Sequence, residues 1–545
     1  MNGAQLLIQE LQRRGVPFVA TLCGHGLNPF DAACREAGLR LVDVRNEQNA
    51  TYMAEAYGRL SRRVGVCAIS SGVAHANGMT GLVNAYLDGA PMLLITGSGS
   101  TQTTGLGHFQ DLDQVAMAAP VCKYARTVDR ADRIPQIIHE AFSFALSGRP
   151  GPVHLTIPAD VQTSEVNPEK VIRIFDSPSG KPLPAMGDPE LIQQAAELIN
   201  KAKRPLLIAG GGVYYAEGEQ ALATFVKAQS IPVVIPIWDR GSIAHPIGEF
   251  MGVLGAASGG PRLLGDSDLM IMVGATCDYR VGYLQTPAIR EDARIIRIDR
   301  DAKELGRGVG AHLSILGDPR SVMNQLNDAC TSRGKQEHEA WLKEAQARRE
   351  AFRKQCLEVR KRAPKGLHSL DIVQAVQSVL TDDTVLAIDG GNIGQWVHQI
   401  LCDRYPGHWV TCGASGTIGN GVAGAMAARL LYPDRPIIVT TGDGSLTYGI
   451  SEFEPATRQR LPFVVIVADD ETWGSPHTQH MSQFGVGITT ELGPIRFDQV
   501  AQGFGADAVR VTQPAEIASF LKEGLSSDRP YLIHVPVVRS NPGDK

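Results

Sequence analysis

The chain has 545 residues, which is enough for about three domains of ordinary size. Its hydrophobic content of 43% and charged content of 20% are typical of a globular protein in water. A net charge of −5 gives no electrostatic reason to bind nucleic acid, and nine cysteines without a C-x-x-C pair indicate neither a zinc site nor a disulfide framework.

The amino-terminal segment and the hydropathy of the chain favour a cytoplasmic enzyme. Met1–Gln5 leads directly into a helical pattern, without the features of a signal peptide. No run of 18 apolar residues occurs, so we expect no membrane span.

The first 170 residues alternate short apolar runs with helix-favouring segments, the pattern of a parallel α/β sheet. We expect strands near 16–20, 40–44, 64–69, 91–95 and 153–157. A polar, Pro-rich stretch at 177–184 indicates a linker to the next unit.

Two further units of the same kind follow. The second covers residues 186–330, with expected strands near 205–209, 231–235, 269–273 and 295–298. Residues 335–363 are charged and favour a connecting surface helix, and a third unit covers residues 366–545. The predicted fold class is α/β, with three successive doubly wound parallel-sheet domains.

Two polar residues of the first unit are candidates for chemistry. Glu47 comes just after the run at 40–44 and begins a predicted helix, where an acidic side chain also simply favours the helix dipole. His25 lies in the loop Gly24–Gly26 and either faces water or serves a substrate, by binding a carbonyl or carrying a proton.

The third unit contains the most informative motif. Thr441–Ser445, a Gly-Asp-Gly-Ser turn, follows an apolar run, and a second apolar run at 463–468 ends in Asp469 and Asp470. Oxygen ligands at the carboxyl ends of adjacent parallel strands can hold a hard divalent cation. A glycine turn at a helix N-terminus lets a pyrophosphate approach the backbone, although such turns also occur without a ligand. The combination indicates a diphosphate cofactor anchored by Mg²⁺.

Several motifs in chain order resemble one enzyme family. Glu47, Met53–Arg59, Ser71–Gly72, Phe109–Gln114 and the late Gly-Asp-Gly-Ser turn resemble the thiamine-diphosphate enzymes of the acetolactate synthase, oxalyl-CoA decarboxylase and 2-hydroxyacyl-CoA lyase group. The resemblance spans essentially the whole chain. It implies a pyrimidine-binding domain at 1–170, a central nucleotide-binding-like domain at 186–330 and a diphosphate-binding domain at 366–545. It also implies active sites between two subunits, in a homodimer or homotetramer.

The same resemblance assigns roles to individual residues. Glu47 would activate the cofactor pyrimidine, and Gln110 and His25 complete the predicted catalytic set. The carbonyl of Gly416 would receive the pyrimidine amino group, and Ile418 would hold the cofactor in its folded form. Asp443, Asp470 and the backbone carbonyl of Thr472 are the implied Mg²⁺ ligands. The residues expected around the diphosphate are Gly390, Gly391, Asn392, Ile393, Gly442, Gly444 and Ser445.

The chain departs from the family pattern beside the metal, because Asp469-Asp470 stands where the group usually has Asn-Asn. A carboxylate still binds Mg²⁺ through oxygen. The added negative charge near a diphosphate should make the cation more important.

The choice of reaction depends on weaker signals. The loop Asp389–Asn392 resembles that of the acyl-CoA enzymes, and the segment after Asp470 lacks the Gln-Trp-Gln pattern of biosynthetic acetolactate synthases. The segment around Arg280 resembles acetolactate synthases instead, and Asp299 matches an acidic residue that contacts a nucleotide in both branches. We therefore expect ADP or CoA, and less readily FAD, in the central domain.

These signals favour an enzyme that cleaves a 2-hydroxyacyl-CoA to formyl-CoA and an aldehyde or ketone, and that also runs in reverse. An acetolactate synthase-like enzyme acting on 2-oxoacids, or an oxalyl-CoA decarboxylase, is the alternative. A catalytically silent paralogue would have to lack Glu47, Asp443 or Asp470, and all three are present. A nicotinamide dehydrogenase would need a G-x-G-x-x-G after the first strand, which this chain lacks.

Overall fold

The structure is a computed structural model that describes residues 1–175, 184–239, 241–255, 261–330, 335–401 and 408–540. The predicted linker at 177–184 therefore lies outside the described residues except for Pro184. The last five residues of the chain, 541–545, also lie outside them.

The chain folds into three six-stranded sheets in which every strand pairing is parallel, so the predicted fold class is confirmed. The strands of the amino-terminal sheet have the order β2-β1-β3-β4-β6-β5. They are β1 (Phe18–Leu22), β2 (Arg40–Asp43), β3 (Gly65–Ile69), β4 (Met92–Ser98), β5 (Tyr124–Thr127) and β6 (Pro152–Pro158). The helices are α1 (Gly3–Arg13), α2 (Asn28–Ala37), α3 (Glu47–Ser61), α4 (Val73–Asp88), α5 (Gln114–Ala118), α6 (Ile134–Leu146) and α7 (Ala159–Thr163).

The central sheet has the order β12-β11-β10-β7-β8-β9. Its strands are β7 (Pro205–Ala209), β8 (Val233–Pro236), β9 (Phe250–Leu254), β10 (Leu269–Val273), β11 (Arg294–Asp299) and β12 (Leu313–Leu316). Its helices are α8 (Pro189–Lys201), α9 (Gly211–Tyr215), α10 (Glu219–Gln229), α11 (Ala302–Leu305) and α12 (Pro319–Ala329), and the long helix α13 (Lys335–Arg362) leads to the third domain.

The third sheet has the order β14-β13-β15-β16-β18-β17, which repeats the topology of the first sheet. Its strands are β13 (Val385–Ile388), β14 (His408–Thr411), β15 (Ile437–Gly442), β16 (Val464–Asp469), β17 (Asp507–Arg510) and β18 (Tyr531–Pro536). Its helices are α14 (Ser369–Val379), α15 (Asn392–Ile400), α16 (Gly421–Leu431), α17 (Asp443–Leu446), α18 (Phe453–Arg458), α19 (Gly474–Phe484), α20 (Phe497–Gly503) and α21 (Pro514–Leu525).

In the first two sheets, sequence patterning predicted every interior strand and the edge strand β2, and missed the other three edge strands. In the third sheet it predicted β15 and β16, but not the interior strands β13 and β18. The edge strand β5 was missed because it is largely accessible and therefore carries no continuous apolar run. The edge strands β9 and β12 were missed as well. An edge strand contacts only one neighbour and can be short, which weakens its signal in the sequence.

The first and third domains share one hydrophobic core, in which α3 packs against α16. Tyr52, Met53 and Ala56 of α3 belong to the same buried cluster as Val422 and Met426 of α16. This packing fixes the two similar sheets relative to each other within one chain.

A buried ionic network reinforces the same contact. Arg59 of α3 pairs with Glu55 at 3.0 Å and with Asp88 of α4 at 3.2 Å, and donates to the carbonyl of Thr411. Asp88 in turn accepts from the backbone N–H of Ala414 at 2.7 Å. The network therefore anchors the loop after β14, which leads to Gly416. Within the described ranges, no helix is both long enough and apolar enough to cross a membrane.

Candidate active site

Two glycine turns meet at the carboxyl edge of the third sheet. β13 and β15 are adjacent parallel strands, so the turns that follow them lie side by side. Gly442 donates its backbone N–H to the carbonyl of Gly390 at 2.9 Å. A Cβ on Gly391, which has a φ of +101°, would lie 2.8 Å from the Cα of Gly442. Only glycine fits this contact, and α15 and α17 both begin here.

The other predicted diphosphate residues surround the same point. A Cβ on Gly390 would overlap the side chains of Ile418 and Ser445, and one on Gly444 would meet the Trp473 ring. Asn392 begins α15 and is buried, with Ser475 beside its amide oxygen. The Ile393 side chain packs into the core, so only its backbone is available to a cofactor. Backbone N–H groups at the start of helices suit a diphosphate.

The sequence context of Asp389 suggested a link to the choice of reaction, but its side chain connects loops within the protein. Its carboxylate accepts from Gly390 N at 2.7 Å, Gly419 N at 2.9 Å and Thr441 Oγ1 at 3.1 Å. The side chain is buried, and burial raises its pKa. Asp389 thus joins three cofactor loops from behind, and its contacts say little about the substrate.

The carboxylates predicted to hold Mg²⁺ converge beside these turns. Asp443 Oδ1 accepts from Gly444 N at 2.8 Å, while Oδ2 is buried without a hydrogen-bond partner in the described structure. Burial, and then the neighbouring carboxylates of Asp470 and Asp469, raises the pKa of Asp443 to about 8. An unpaired buried oxygen among carboxylates is a site that a divalent cation would stabilise.

The remaining predicted ligands follow β16. Asp470 Oδ1 accepts from Thr472 N at 3.1 Å and from Thr472 Oγ1 at 2.7 Å, and burial raises the pKa of Asp470. No cluster of three or more His, Cys, Asp or Glu able to hold a metal occurs in the part of the chain that the structure covers. The predicted set has only two carboxylates and one carbonyl, so it would need cofactor or water oxygens to complete it.

The start of the carboxy-terminal tail runs along this metal loop. Val537 N donates to the carbonyl of Asp469 at 2.8 Å, and Arg539 Nε donates to that of Asp470 at 3.1 Å. This stretch therefore supports the loop that carries the predicted ligands.

The loop of Gly416 is held by the first domain of the same chain. Gly416 is exposed with a φ of +69°, and its N–H donates to the carbonyl of Gly413 at 3.0 Å. The Tyr52 hydroxyl of α3 hydrogen-bonds the hydroxyl of Thr417. These contacts leave the exposed Gly416 accessible to a ligand.

The predicted catalytic residues of the first domain lie at the carboxyl edge of its sheet. Glu47 is the first residue of α3, is partly exposed and accepts from Asn77 Nδ2 at 3.0 Å. Gln110 adopts a φ of +60° and accepts from Ser71 Oγ at 2.7 Å. The exposed His25 packs edge-on against Phe109, with ring centres 5.3 Å apart.

The structure thus groups His25 with Gln110, because Ser71 contacts both. The backbone N–H of Ser71 donates to the carbonyl of His25 at 3.2 Å, while its hydroxyl contacts Gln110. Between Glu47 and the Gly442–Ser445 turn of the same chain, no hydrogen bond or ion pair is found among the described residues.

The two predicted nucleotide residues line one cavity between the first and central domains. Arg280 is buried and makes a two-pronged ion pair with Asp278, so its guanidinium is already engaged. Asp299 ends β11, and burial raises its pKa to about 6. Arg149 and Arg300 also line the cavity and were missed, because they lie in no motif.

Comparison with known proteins identifies the family. Models of the thiamine pyrophosphate enzymes match the N-terminal TPP binding domain at residues 1–117, the central domain at 192–326 and the C-terminal TPP binding domain at 389–535. The acetolactate synthase isozyme 1 large subunit of Escherichia coli (strain K12) is 30% identical over 546 residues, covering 98% of this chain and 94% of that protein.

Other relatives are similar to the same degree. The probable acetolactate synthase large subunit of Methanococcus aeolicus is 29% identical over 98% of this chain and 91% of its own length. The 2-hydroxyacyl-CoA lyase 2 of Caenorhabditis elegans is 29% identical over 93% of this chain and 84% of its own length.

The chain belongs to the thiamine pyrophosphate enzymes, in the group that contains acetolactate synthases and 2-hydroxyacyl-CoA lyases. The predicted family is confirmed, and the matched domains indicate thiamine diphosphate as the cofactor. Both branches are equally distant, so identity alone does not select the reaction.

The contact between the two glycine turns yields a first prediction. Gly391→Ala should weaken thiamine-diphosphate binding at least about tenfold, because the added methyl group forces the turns apart and φ is unfavourable. Titration of tryptophan fluorescence with the cofactor measures this. Gly493→Ala is the control, since a Cβ there meets nothing within 4 Å. Equal affinity in both variants would contradict the role of the contact.

A second prediction concerns Glu47. Glu47→Gln should retain cofactor binding but lower turnover by about 10²- to 10⁴-fold, because the amide cannot exchange a proton with the pyrimidine. Steady-state rates and calorimetric cofactor titration separate the two effects. Glu36→Gln, an exposed change on α2, should leave both unchanged. Full turnover in Glu47→Gln would remove Glu47 from the catalytic set.

Proposed function

We propose that the complete active site forms between two copies of this chain, with Glu47, Gln110 and His25 from one copy and the diphosphate and Mg²⁺ residues from the other. Glu47 is partly exposed, and among the described residues of its own chain only Asn77 hydrogen-bonds its carboxylate. A homodimer, or a homotetramer built from such dimers, would bring the two half-sites together.

Exposed apolar side chains on both half-sites support this arrangement. Beside the first half-site, Leu106 is 78% and Phe109 68% exposed. Beside the second, none of the 11 residues of α19 is buried, and Phe484 and Val486 are 58% and 55% exposed. Apolar surface of this kind marks an interaction site.

Complementation between inactive variants tests the shared site. If Glu47 and Asp443 serve one site from different chains, a heterodimer of Glu47→Gln and Asp443→Asn has one intact site and one doubly altered site. Random pairing should then restore about a quarter of wild-type activity, because about half of the dimers are mixed and each has one of two sites intact. Co-expression with two affinity tags isolates the mixed dimer. No recovery in that dimer would place both residues in the same chain's site.

For the reaction, the site best supports reversible cleavage of a 2-hydroxyacyl-CoA to formyl-CoA and an aldehyde or ketone. The observation that carries this proposal is His25, whose exposed imidazole packs on Phe109 and whose backbone carbonyl is linked through Ser71 to Gln110. In the cleavage direction the 2-hydroxyl group becomes a carbonyl and must lose its proton. In this proposal His25 accepts that proton and returns it in the condensation direction.

The other residues have supporting parts in this proposal. When bound, thiamine diphosphate supplies the carbon nucleophile and holds the electron pair released from the broken carbon–carbon bond. The carboxyl group of Glu47 would hold a proton for the pyrimidine nitrogen on the oxygen that Asn77 does not contact. Asp443, Asp470 and the Thr472 carbonyl would hold Mg²⁺ against the diphosphate.

The cavity of the central domain would take the adenine nucleotide part of CoA, or free ADP. Asp299, Arg149 and Arg300 line this cavity together with Gly211 and Gly212. Both guanidinium groups also donate to backbone carbonyls of the protein. A carboxylate at the end of a parallel strand suits a ribose hydroxyl, and arginines suit phosphate. FAD is a less favoured occupant.

Acetolactate synthesis from 2-oxoacids is the second candidate. It is supported by the 30% identity to the acetolactate synthase isozyme 1 large subunit of Escherichia coli, which covers nearly the full length of both chains. The Asp389 side chain hydrogen-bonds the backbone of this loop and of the loop before α16. The likeness of the Asp389–Asn392 loop to that of the acyl-CoA enzymes is therefore a weaker argument for an acyl-CoA substrate.

Product analysis separates the candidates. The holoenzyme should convert formyl-CoA and an aldehyde to a 2-hydroxyacyl-CoA. If it instead forms acetolactate from pyruvate alone, or CO₂ from oxalyl-CoA, the corresponding alternative reaction replaces the proposal.

His25→Ala should lower the condensation rate by about 10²- to 10⁴-fold while cofactor binding is unchanged. The matched control is His245→Ala, an exposed histidine of the central domain. An unaltered rate in His25→Ala would exclude His25 as the proton carrier.

A further inference from the structure

A buried histidine lies directly behind the metal loop. His534 is on β18, next to β16, and is fully buried. Its Nε2 lies 2.8 Å from Asp469 Oδ2, and its Nδ1 lies 3.2 Å from Asp498 Oδ1. Each ring nitrogen therefore faces a carboxylate oxygen, which accepts hydrogen bonds.

The far end of this chain of contacts is fixed by an arginine. Arg496 donates from Nε and Nη2 to the two oxygens of Asp498, at 3.0 and 2.6 Å. The Arg496 guanidinium, and then His534, holds the pKa of Asp498 well below its usual range. Asp498 is therefore a fixed, ionised acceptor for His534, and the imidazole cannot turn without losing both partners.

At its other end, this series of hydrogen bonds reaches the predicted metal ligands through a strained turn at Glu471. Asp469 Oδ1 accepts from Glu471 N at 3.3 Å, and Glu471 has a φ of +56°, which costs free energy for a residue with a side chain. On either side of Glu471 lie Asp470 and Thr472, which hydrogen-bond each other. The position of both predicted ligands thus depends on this turn.

Both oxygens of Asp469 are engaged in hydrogen bonds in this arrangement. One of its oxygens accepts from Glu471 and the other from His534. Its carboxylate lies beside that of Asp443, whose pKa it raises. The contact with His534 holds the Asp469 carboxylate in place next to the cation site.

We propose that His534 is a positioning residue for the metal centre, acting through Asp469 to hold the 470–472 turn so that Asp470 and the Thr472 carbonyl face a divalent cation. This inference rests on the metal site of the proposed function. Groups that orient metal ligands from behind typically change metal affinity by about 10- to 100-fold when altered.

The test measures cation binding rather than turnover. Mn²⁺ affinity is read by electron paramagnetic resonance, and Mg²⁺ dependence by the quenching of tryptophan fluorescence on thiamine-diphosphate binding. The ring of Trp473 packs on Gly444 and is a local reporter. In His534→Gln the single amide can donate to only one of the two carboxylates, so the metal concentration for half-saturation should rise about 10- to 100-fold.

A matched control separates positioning from general loss of packing. His338, on the connecting helix α13, is also buried, and its ring nitrogens lie 2.9 and 3.0 Å from the carbonyls of Gln229 and Ala202 in the central domain. His338→Gln removes a comparable pair of hydrogen bonds, and should lower thermal stability while leaving the metal dependence unchanged. Equal metal half-saturation in His534→Gln and His338→Gln would overturn the inference.

A compensating change gives a second readout. In the double variant Asp469→Asn/His534→Gln, the new asparagine amide can donate to the side-chain carbonyl oxygen of the new glutamine, whose own amide then donates to Asp498. The double variant should recover metal affinity to within about threefold of wild type, whereas no recovery would count against positioning. Asp498→Asn leaves His534 in place but weakens its hydrogen-bonded anchor, so it should also weaken metal binding. This variant replaces His534→Gln in the test if His534→Gln does not fold.

The metal titration of the wild-type protein tests the metal site separately from the role of His534. Cofactor binding that is independent of any divalent cation would reject the metal site, and the inference with it. Metal-dependent binding in the wild type with unchanged variants would reject the role of His534 alone.

Discussion

The close contact of Gly390 and Gly391 with Gly442 is the constraint on which the site depends. It exists because β13 and β15 are adjacent and parallel, so their carboxyl ends bring two turns together. With no Cβ between them, the backbones approach closely and α15 and α17 start at the same place. Asp389 then ties these turns to the loop before α16. A diphosphate site follows from backbone geometry before any charged side chain contributes.

The charge that a diphosphate and several carboxylates bring to this edge requires compensation. Asp443 has a buried oxygen with no described partner, and Asp469 and Asp470 add negative charge beside it. A cation in front of the carboxylates would offset this charge, and His534 holds Asp469 in place from behind. The Asp469-Asp470 pair, which departs from the family pattern, is thus accompanied by a histidine on the neighbouring strand that suits it.

In the proposed dimer, packing inside one chain and catalysis between chains would use different surfaces of the first domain. The face of α3 that includes Tyr52 and Arg59 packs on the third domain and holds the loop of Gly416 in place. The first residue of the same helix, Glu47, lies at the edge of that core and stays partly exposed. A single helix can therefore support the cofactor loop of its own chain and, in the proposed dimer, activate the cofactor of the partner.

The sequence by itself determined the fold class, the family and the cofactor, because buried parallel strands and glycine turns leave strong local patterns. The Gly442–Ser445 turn and Glu47 were recognisable for this reason. Only the tertiary structure showed that Asp389 faces inward, that the Ile393 side chain belongs to the core and that Arg149 reaches the central cavity. It also brought His534 to Asp469 across 65 residues. Such contacts depend on strand order and side-chain direction, which arise from packing between segments distant in the chain and leave no periodic signal in the sequence.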